Sequence, residues 1–383
     1  MSASGRTPDT DLIHAGEPEP RIDGAVRVPI FQTAMYEVRD DDPRGVRYIR
    51  YTNTPNHEVL EKKLAVLEHA EAGLVTGSGM AAISAALLTV LAAGRHLLVL
   101  GPVYGGTHQF VTAMLPGLGI AHSMADGRDP DGWAAALKPE TAAVYTETIT
   151  NPLVGVPDHA AVVAFARAHG LVSMIDNTFA TPINFRPVEH GYDLVMHSAT
   201  KYLNGHSDVV AGAVVGPSEL VERCRWTLTN LGGALDPHAA FLVHRGMATL
   251  AVRVRHQNAS ALAVARFLAT HARVRWVSYP GLQGHPDHGR ARALLDGCGG
   301  VLAFELDGGR DAAQRFMARV TIPISAPSLG GVETLLSRPA VTSHARMSAD
   351  QRAALGISDS LIRCSIGLEG TDDLIADFAQ ALG

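Results

Sequence analysis

The stretch 171–216 sets the tightest limit on how this chain can fold. It holds three short apolar runs, 171–175, 193–196 and 209–215, divided by Gly, Pro and Asn. Runs this short, bounded in this way, read as buried strands rather than helices. The first run ends at Asp176 and the second in His197-Ser198-Ala199-Thr200-Lys201. Open α/β sheets take their ligands outside the carboxyl ends of their strands. The stretch therefore predicts an acid, and a lysine flanked by hydroxyls, delivered to one edge of a sheet.

A second stretch, 72–91, complements the first. A short apolar run meets Gly77-Ser78-Gly79 and then opens a strongly helical segment. Glycines allow close backbone approach, and a helix start offers free N–H groups to an anion. Gly77-x-Gly79-x-x-Ala82 also satisfies the dinucleotide-binding pattern of a dehydrogenase. That pattern expects an acid at the end of the next strand, about 20 residues on. Here the run 96–100 is followed by Gly101-Pro102 instead. A phosphate cup with backbone donors from Gly79 and Met80 is the better reading. A lysine, a carboxylate and a phosphate cup together suit pyridoxal 5'-phosphate (PLP). The lysine joins the cofactor aldehyde covalently and the carboxylate partners the pyridinium nitrogen. Ser198 and Thr200 can add hydroxyl donors to the phosphate.

Ser198-Ala199-Thr200-Lys201, Gly205-His206-Ser207-Asp208 and Asp176-Asn177-Thr178 resemble the Cys/Met-metabolism PLP enzymes. That family includes cystathionine γ-synthase, cystathionine γ-lyase, cystathionine β-lyase and methionine γ-lyase. The resemblance runs from about residue 27 to the C-terminus. It implies an α/β fold of PLP fold type I (aspartate-aminotransferase-like). Such a fold has a mostly parallel sheet in a large domain and a smaller C-terminal α/β domain. It also implies roles for individual residues. Tyr48 and Arg50 match a Tyr-x-Arg that reaches the phosphate of a neighbouring subunit, where a guanidinium fork suits a phosphate. Tyr104 matches a tyrosine stacked on the cofactor ring and counts with Lys201 as catalytic. Thr178 joins Asp176 beside the cofactor. Asn151, in Asn151-Pro152, lies near the cofactor's phenolic oxygen and the substrate. Ser328 and Arg363 match the Ser-Leu-Gly and Ile-Arg-x-Ser segments that hold the substrate α-carboxylate.

Three positions depart from the family pattern. Asn53-Thr54-Pro55-Asn56 replaces a Gly-Asn-Pro-Thr-like segment. Gly106 stands where methionine γ-lyases carry a cysteine, which counts against that activity. Pro327 stands where enzymes with cystathionine γ activity often carry a glutamate, which bears on recognition of a distal substrate amino group.

At 383 residues the chain has room for two or three domains. We divide it into an arm, 1–50, contributing to the neighbouring subunit's site, a PLP-binding domain, 51–245, and a small domain, 246–383. Residues 1–26 read as an extended arm, 28–38 as strand-like, and Asp40-Asp41-Asp42 as a solvated turn. Helices are expected at 57–67 and at 156–170, the latter capped by Asp158, and strands at 142–152, 301–306, 320–325 and 361–369. A formal net charge of −6 gives no basic footprint for nucleic acid. The three cysteines are widely spaced and read as reduced residues of a cytoplasmic protein. The first residues lack the features of a signal peptide, and 80–93 is too short to span a bilayer. His285-Pro286-Asp287-His288 lacks further ligands nearby, so no metal is expected. The family resemblance implies a homotetramer built from dimers with shared active sites.

The expected reaction is γ-elimination or γ-replacement on a sulfur-containing or O-acylated amino acid, like those of cystathionine γ-lyase and γ-synthase. A β-eliminating C–S lyase like cystathionine β-lyase, or a specialised γ-substitution on another amino acid, is the alternative. A non-catalytic PLP-binding protein would have little need of Lys201, Asp176, Tyr104 and Arg363 together. We predict that Lys201→Ala abolishes cofactor that borohydride can fix to the chain. Covalent cofactor retained in that variant would refute the assignment.

Overall fold

Seven short strands pair into one sheet in the computed structural model, which describes residues 5–38, 40, 45–345 and 347–383. The strands are β1 (Ala72–Thr76), β2 (His96–Leu100), β3 (Ala121–Ala125), β4 (Thr141–Glu147), β5 (Val172–Asp176), β6 (Leu194–His197) and β7 (Gly212–Gly216). Their order is β1-β7-β6-β5-β4-β2-β3. β6, β5, β4, β2 and β3 run parallel, and β7 is antiparallel to both of its neighbours. Successive side chains enter opposite cores. Val144, Ile175 and Val195 pack on one face, and Tyr145, Met174 and Met196 on the other. Burial on both faces is why these strands read as continuous apolar runs rather than alternating ones.

Helices cover both faces. α1 (Pro8–His14) begins the described chain, α2 (Pro55–Glu68) precedes β1, and α3 (Gly79–Val90) follows it. The segment Asn53-Thr54-Pro55-Asn56 is a helix start. Thr54 is the N-cap, Pro55 occupies the first helical position, and the Thr54 N–H donates to His57 Nδ1 at 3.2 Å.

A second sheet follows, from β8 (Val274–Ser278), β9 (Val301–Leu306), β10 (Ile324–Ser325), β11 (Leu335–Ser337) and β12 (Ile362–Ser365), in the order β10-β11-β12-β9-β8. Only β10 and β11 are parallel. The helices Ser218–Leu231, Pro237–Met247 and Leu250–Thr270 connect the two sheets. The last belongs to two cores. Leu250, Ala251 and Val254 join the large-sheet core, and Ala261, Val264, Ala265 and Leu268 join the core of the second sheet.

The structure corrects several local expectations. Residues 8–14 are helical rather than extended, with Leu12 buried and its carbonyl accepting from Lys63 Nζ at 2.8 Å. The segment 28–38 forms no strand and makes only an isolated bridge, Met35 with Tyr48. Asp41 and Asp42 lie outside the described residues. Of 320–325 only Ile324–Ser325 is a strand. The backbone N–H groups of Thr321 and Ile322 go to the Asp377 carboxylate instead of a ladder. β3 was not anticipated, because it is a partly exposed edge strand with little apolar content.

Candidate functional site

The parallel strands place their carboxyl ends side by side, and a cleft of about 690 Å³ opens there against the second sheet. Most of the walls are built at or just after strand ends. At the end of β1, Ser78 caps α3, its hydroxyl oxygen accepting from the Ala81 N–H at 3.0 Å. The Gly79 and Met80 N–H groups then lack intrahelical acceptors, as the first turn of any helix does. Gly79 is required by space. A Cβ there would stand 2.7 Å from the Ser198 Cβ. The glycine thus lets the first turn of α3 meet the end of β6 across a narrow cradle.

β5 ends in Asp176, whose Oδ1 accepts from the Thr178 N–H at 2.9 Å. The Thr178 hydroxyl oxygen accepts from the Ser198 N–H at 2.8 Å, tying the ends of β5 and β6 together. Burial pushes the Asp176 carboxyl pKa up. Beneath them His197 Nε2 meets Glu68 Oε1 at 2.5 Å, both side chains fully buried. Thr200 turns inward. Its hydroxyl donates to the Ala211 carbonyl at 3.1 Å and accepts from the Ala211 N–H at 3.0 Å. Serving as a phosphate donor would require it to give up the first of these bonds.

Lys201 Nζ donates to Ser328 Oγ at 2.7 Å. Burial, and after it the charge of Arg363, lowers its pKa to about 8. Arg363 comes from β12. Its Nη1 donates to Asn151 Oδ1 at 3.1 Å and its Nη2 to the Ser328 carbonyl at 2.8 Å. Its Nε is buried with no acceptor in the protein. Burial lowers the Arg363 pKa to about 10, so the guanidinium stays charged at neutral pH.

The cleft brings together Gly79, Met80, Tyr104, Asn151, Asp176, Thr178, Ser198, Thr200, Lys201, Ser328 and Arg363. Tyr48 and Arg50 are not among its lining residues. Arg50 instead lies over the rings of Tyr48 and Tyr51 and donates to the Thr229 carbonyl. Glu147, which ends β4, also lines the cleft and was not anticipated. The rule that pointed to Asp176, an acid closing an apolar run, applies to it equally. The polar run Thr146-Glu147-Thr148 hid it. The His285–His288 segment makes structural contacts: Asp287 accepts from the distant Val156 N–H and His288 Nδ1 meets the Pro280 carbonyl. Among the described residues no group of three His, Cys, Asp or Glu is placed to hold a metal ion.

This donor set fits a phosphate ester that carries an aldehyde on an aromatic ring. A helix start and a cradle that a Cβ would fill would suit the phosphate, an amine of lowered pKa the aldehyde, and a buried carboxyl a ring nitrogen. The orphaned Arg363 Nε fits a substrate carboxylate.

The family model described as Cys/Met metabolism PLP-dependent enzyme matches residues 9–383, a start earlier than the one read from the motifs. The chain is 41% identical over 375 residues to the cystathionine β-lyase of Lactococcus lactis subsp. cremoris strain MG1363, covering 97% of this chain and 98% of that one. It is similar to the crystal structure of cystathionine γ-synthase from Xanthomonas oryzae pv. oryzae in complex with aminoacrylate and cysteine. There the TM-score is 0.95 and the identity 39%, over 98% of each chain. It is also similar to cystathionine γ-lyase from Lactobacillus plantarum complexed with L-serine, with TM-score 0.94 and 37% identity over 98% of each chain.

The Lys201 amine gives a pH prediction. Its pKa of about 8 means that the neutral, nucleophilic amine rises as pH climbs through that value. The rate at which cofactor-free protein captures PLP should therefore increase from pH 6.5 to 8 and level off above about 9. A rate that keeps rising to pH 10.5, the ordinary lysine value, would contradict it.

Proposed function

The chain belongs to the Cys/Met-metabolism PLP-dependent enzymes, and from that premise we propose that it catalyses γ-elimination or γ-replacement on a sulfur-containing or O-acylated amino acid. One observation carries the reading. The single lysine lining the cleft holds its amine 2.7 Å from Ser328 Oγ, beside Arg363 and among the ends of β4, β5 and β6.

The residues divide the work as follows. The N–H groups of Gly79 and Met80, with Ser198 and Thr200, would hold the phosphate. Tyr104 would cover the ring face, and Asp176 and Thr178 would take its nitrogen side. When bound, PLP supplies an electron sink that makes a proton on the substrate Cα removable. The Lys201 amine is the base that takes that proton, its lowered pKa suiting work near neutral pH. In a γ route the same amine must carry the proton onward and remove one from Cβ; a β route omits this. Arg363 binds the α-carboxylate through its free edge, with Asn151 and Ser328 fixing the guanidinium plane.

A β-eliminating C–S lyase is the second reading, favoured by the name of the Lactococcus relative. Pro327 in the cleft wall favours a third, a γ-substitution on an amino acid with no distal amino group. Products separate them. Given O-acylhomoserine, a γ enzyme releases 2-oxobutanoate, or a new thioether when a thiol is present. Given cystathionine, a β enzyme releases pyruvate. We expect γ products in excess; the absence of both a keto acid from cystathionine, cysteine or O-acylhomoserine and a new thioether from O-acylhomoserine and a thiol would defeat the proposal.

We also place Tyr48 and Arg50 in the cleft of a neighbouring subunit of a homotetramer. The arm that carries them leaves Val26, Met35, Val38 and Val46 between 54% and 74% exposed in the single chain, an apolar surface that a partner would cover. We assign the protein to the cytoplasm. The three cysteines are free, and among the described residues no helix is long and apolar enough to cross a membrane. Mixing Arg50→Ala with Lys201→Ala protein should restore part of the activity, since one hybrid cleft would then be intact. No recovery after verified subunit exchange would show the clefts to be self-contained.

A further inference from the structure

We propose that Glu147 is a positioning residue that fixes Tyr104 and Asn151 for the bound cofactor and substrate; the inference rests on the PLP reading of the cleft. Glu147 is 4% exposed and lines the cleft at the end of β4. Its two oxygens serve different loops. Oε1 accepts from the Tyr104 N–H, after β2, at 2.5 Å. Oε2 accepts from the Asn151 N–H, after β4, at 3.2 Å. Both donors belong to the backbone, so the carboxylate sets the path of the chain at two residues assigned to ring and substrate.

The contact continues beyond them. Asn151 Oδ1 accepts from Arg363 Nη1, Arg363 Nη2 donates to the Ser328 carbonyl, and Lys201 Nζ donates to the Ser328 hydroxyl. Glu147 is thus the first member of a hydrogen-bonded series that ends at the reactive amine. A carboxylate is the side chain this position needs. It offers two acceptor atoms, whereas a carboxamide offers one and turns a donor toward the other N–H.

Its surroundings oppose a charge here. Glu147 is the register partner of Asp176 on the neighbouring strand, and burial, then the charge of Asp176, pushes its pKa well up. A second acid beside the first is a costly way to satisfy two N–H groups. Satisfying both loops at once is the return for that cost.

The test compares Glu147→Gln and Glu147→Ala holoenzyme with the parent. Three quantities are measured: the visible circular dichroism of bound PLP, the affinity for glycine as an unreactive amino acid, and the melting temperature. We expect the dichroism to weaken as Tyr104 loosens. Glycine affinity should fall about tenfold, the size of one lost hydrogen bond, while PLP affinity changes less than about threefold. Glu147→Gln, which keeps the shape, should show both effects even if Glu147→Ala folds poorly. Unchanged dichroism and glycine affinity, with only a lower melting temperature, would reduce Glu147 to a structural residue and overturn the proposal. An inactive parent on every C–S and O-acyl substrate would remove the proposed reaction, yet the glycine and dichroism measurements would still decide Glu147.

Discussion

Two cations and two carboxyls line a single cleft. Lys201 and Arg363 enter from the turn after β6 and from β12, and Glu147 and Asp176 from adjacent strand ends. Any one of them left alone at this depth would be strongly disfavoured. Their hydrogen bonds show how the arrangement holds. Arg363 is fixed by Asn151 and the Ser328 carbonyl, Lys201 by the Ser328 hydroxyl, Asp176 by Thr178, and Glu147 by two backbone N–H groups. The parallel sheet brings Glu147, Asp176 and Lys201 to one edge from distant stretches of sequence, and β12 of the second sheet brings Arg363 against them.

Ser328 carries a large share of this. It receives both cations and sits at φ 104°, a backbone conformation that non-glycine residues adopt at a penalty of about 1–3 kcal/mol. Its neighbour Gly330 packs so tightly that a Cβ would stand 2.7 Å from the Tyr202 nitrogen. The segment is therefore pressed directly onto the turn that bears Lys201. Strain at such a point is sustained by the surroundings, here by the guanidinium of Arg363 and the amine of Lys201.

Much of this was legible in the sequence, and for physical reasons. Strands buried on both faces leave uninterrupted apolar runs, so β2, β4, β5 and β6 announced themselves, and Asp176 and Lys201 could be read as strand-end residues. A helix start after Gly77-Ser78-Gly79 was equally plain. Residues whose role depends on distant partners were not. Nothing local says that Arg363 meets Asn151, 212 positions away in sequence; only family resemblance pointed to it. The strand-like composition of 28–38 misled because strand formation requires a partner that composition does not supply. The helical segment 8–14 was missed because a short helix of mixed residues is stabilised by burying Leu12 rather than by its own propensity.

The helix Leu250–Thr270 is common to both sheet cores. Between its two apolar ends, the Gln257 carboxamide donates to the carbonyls of Gly331 and Ile366, at 2.8 and 3.1 Å. A rod shared in this way cannot bend where the two halves meet without breaking its own ladder of hydrogen bonds. Denaturation should consequently be cooperative across both sheets. Relative movement of the halves would have to be a sliding or rolling of side chains along this rod rather than a hinge within it.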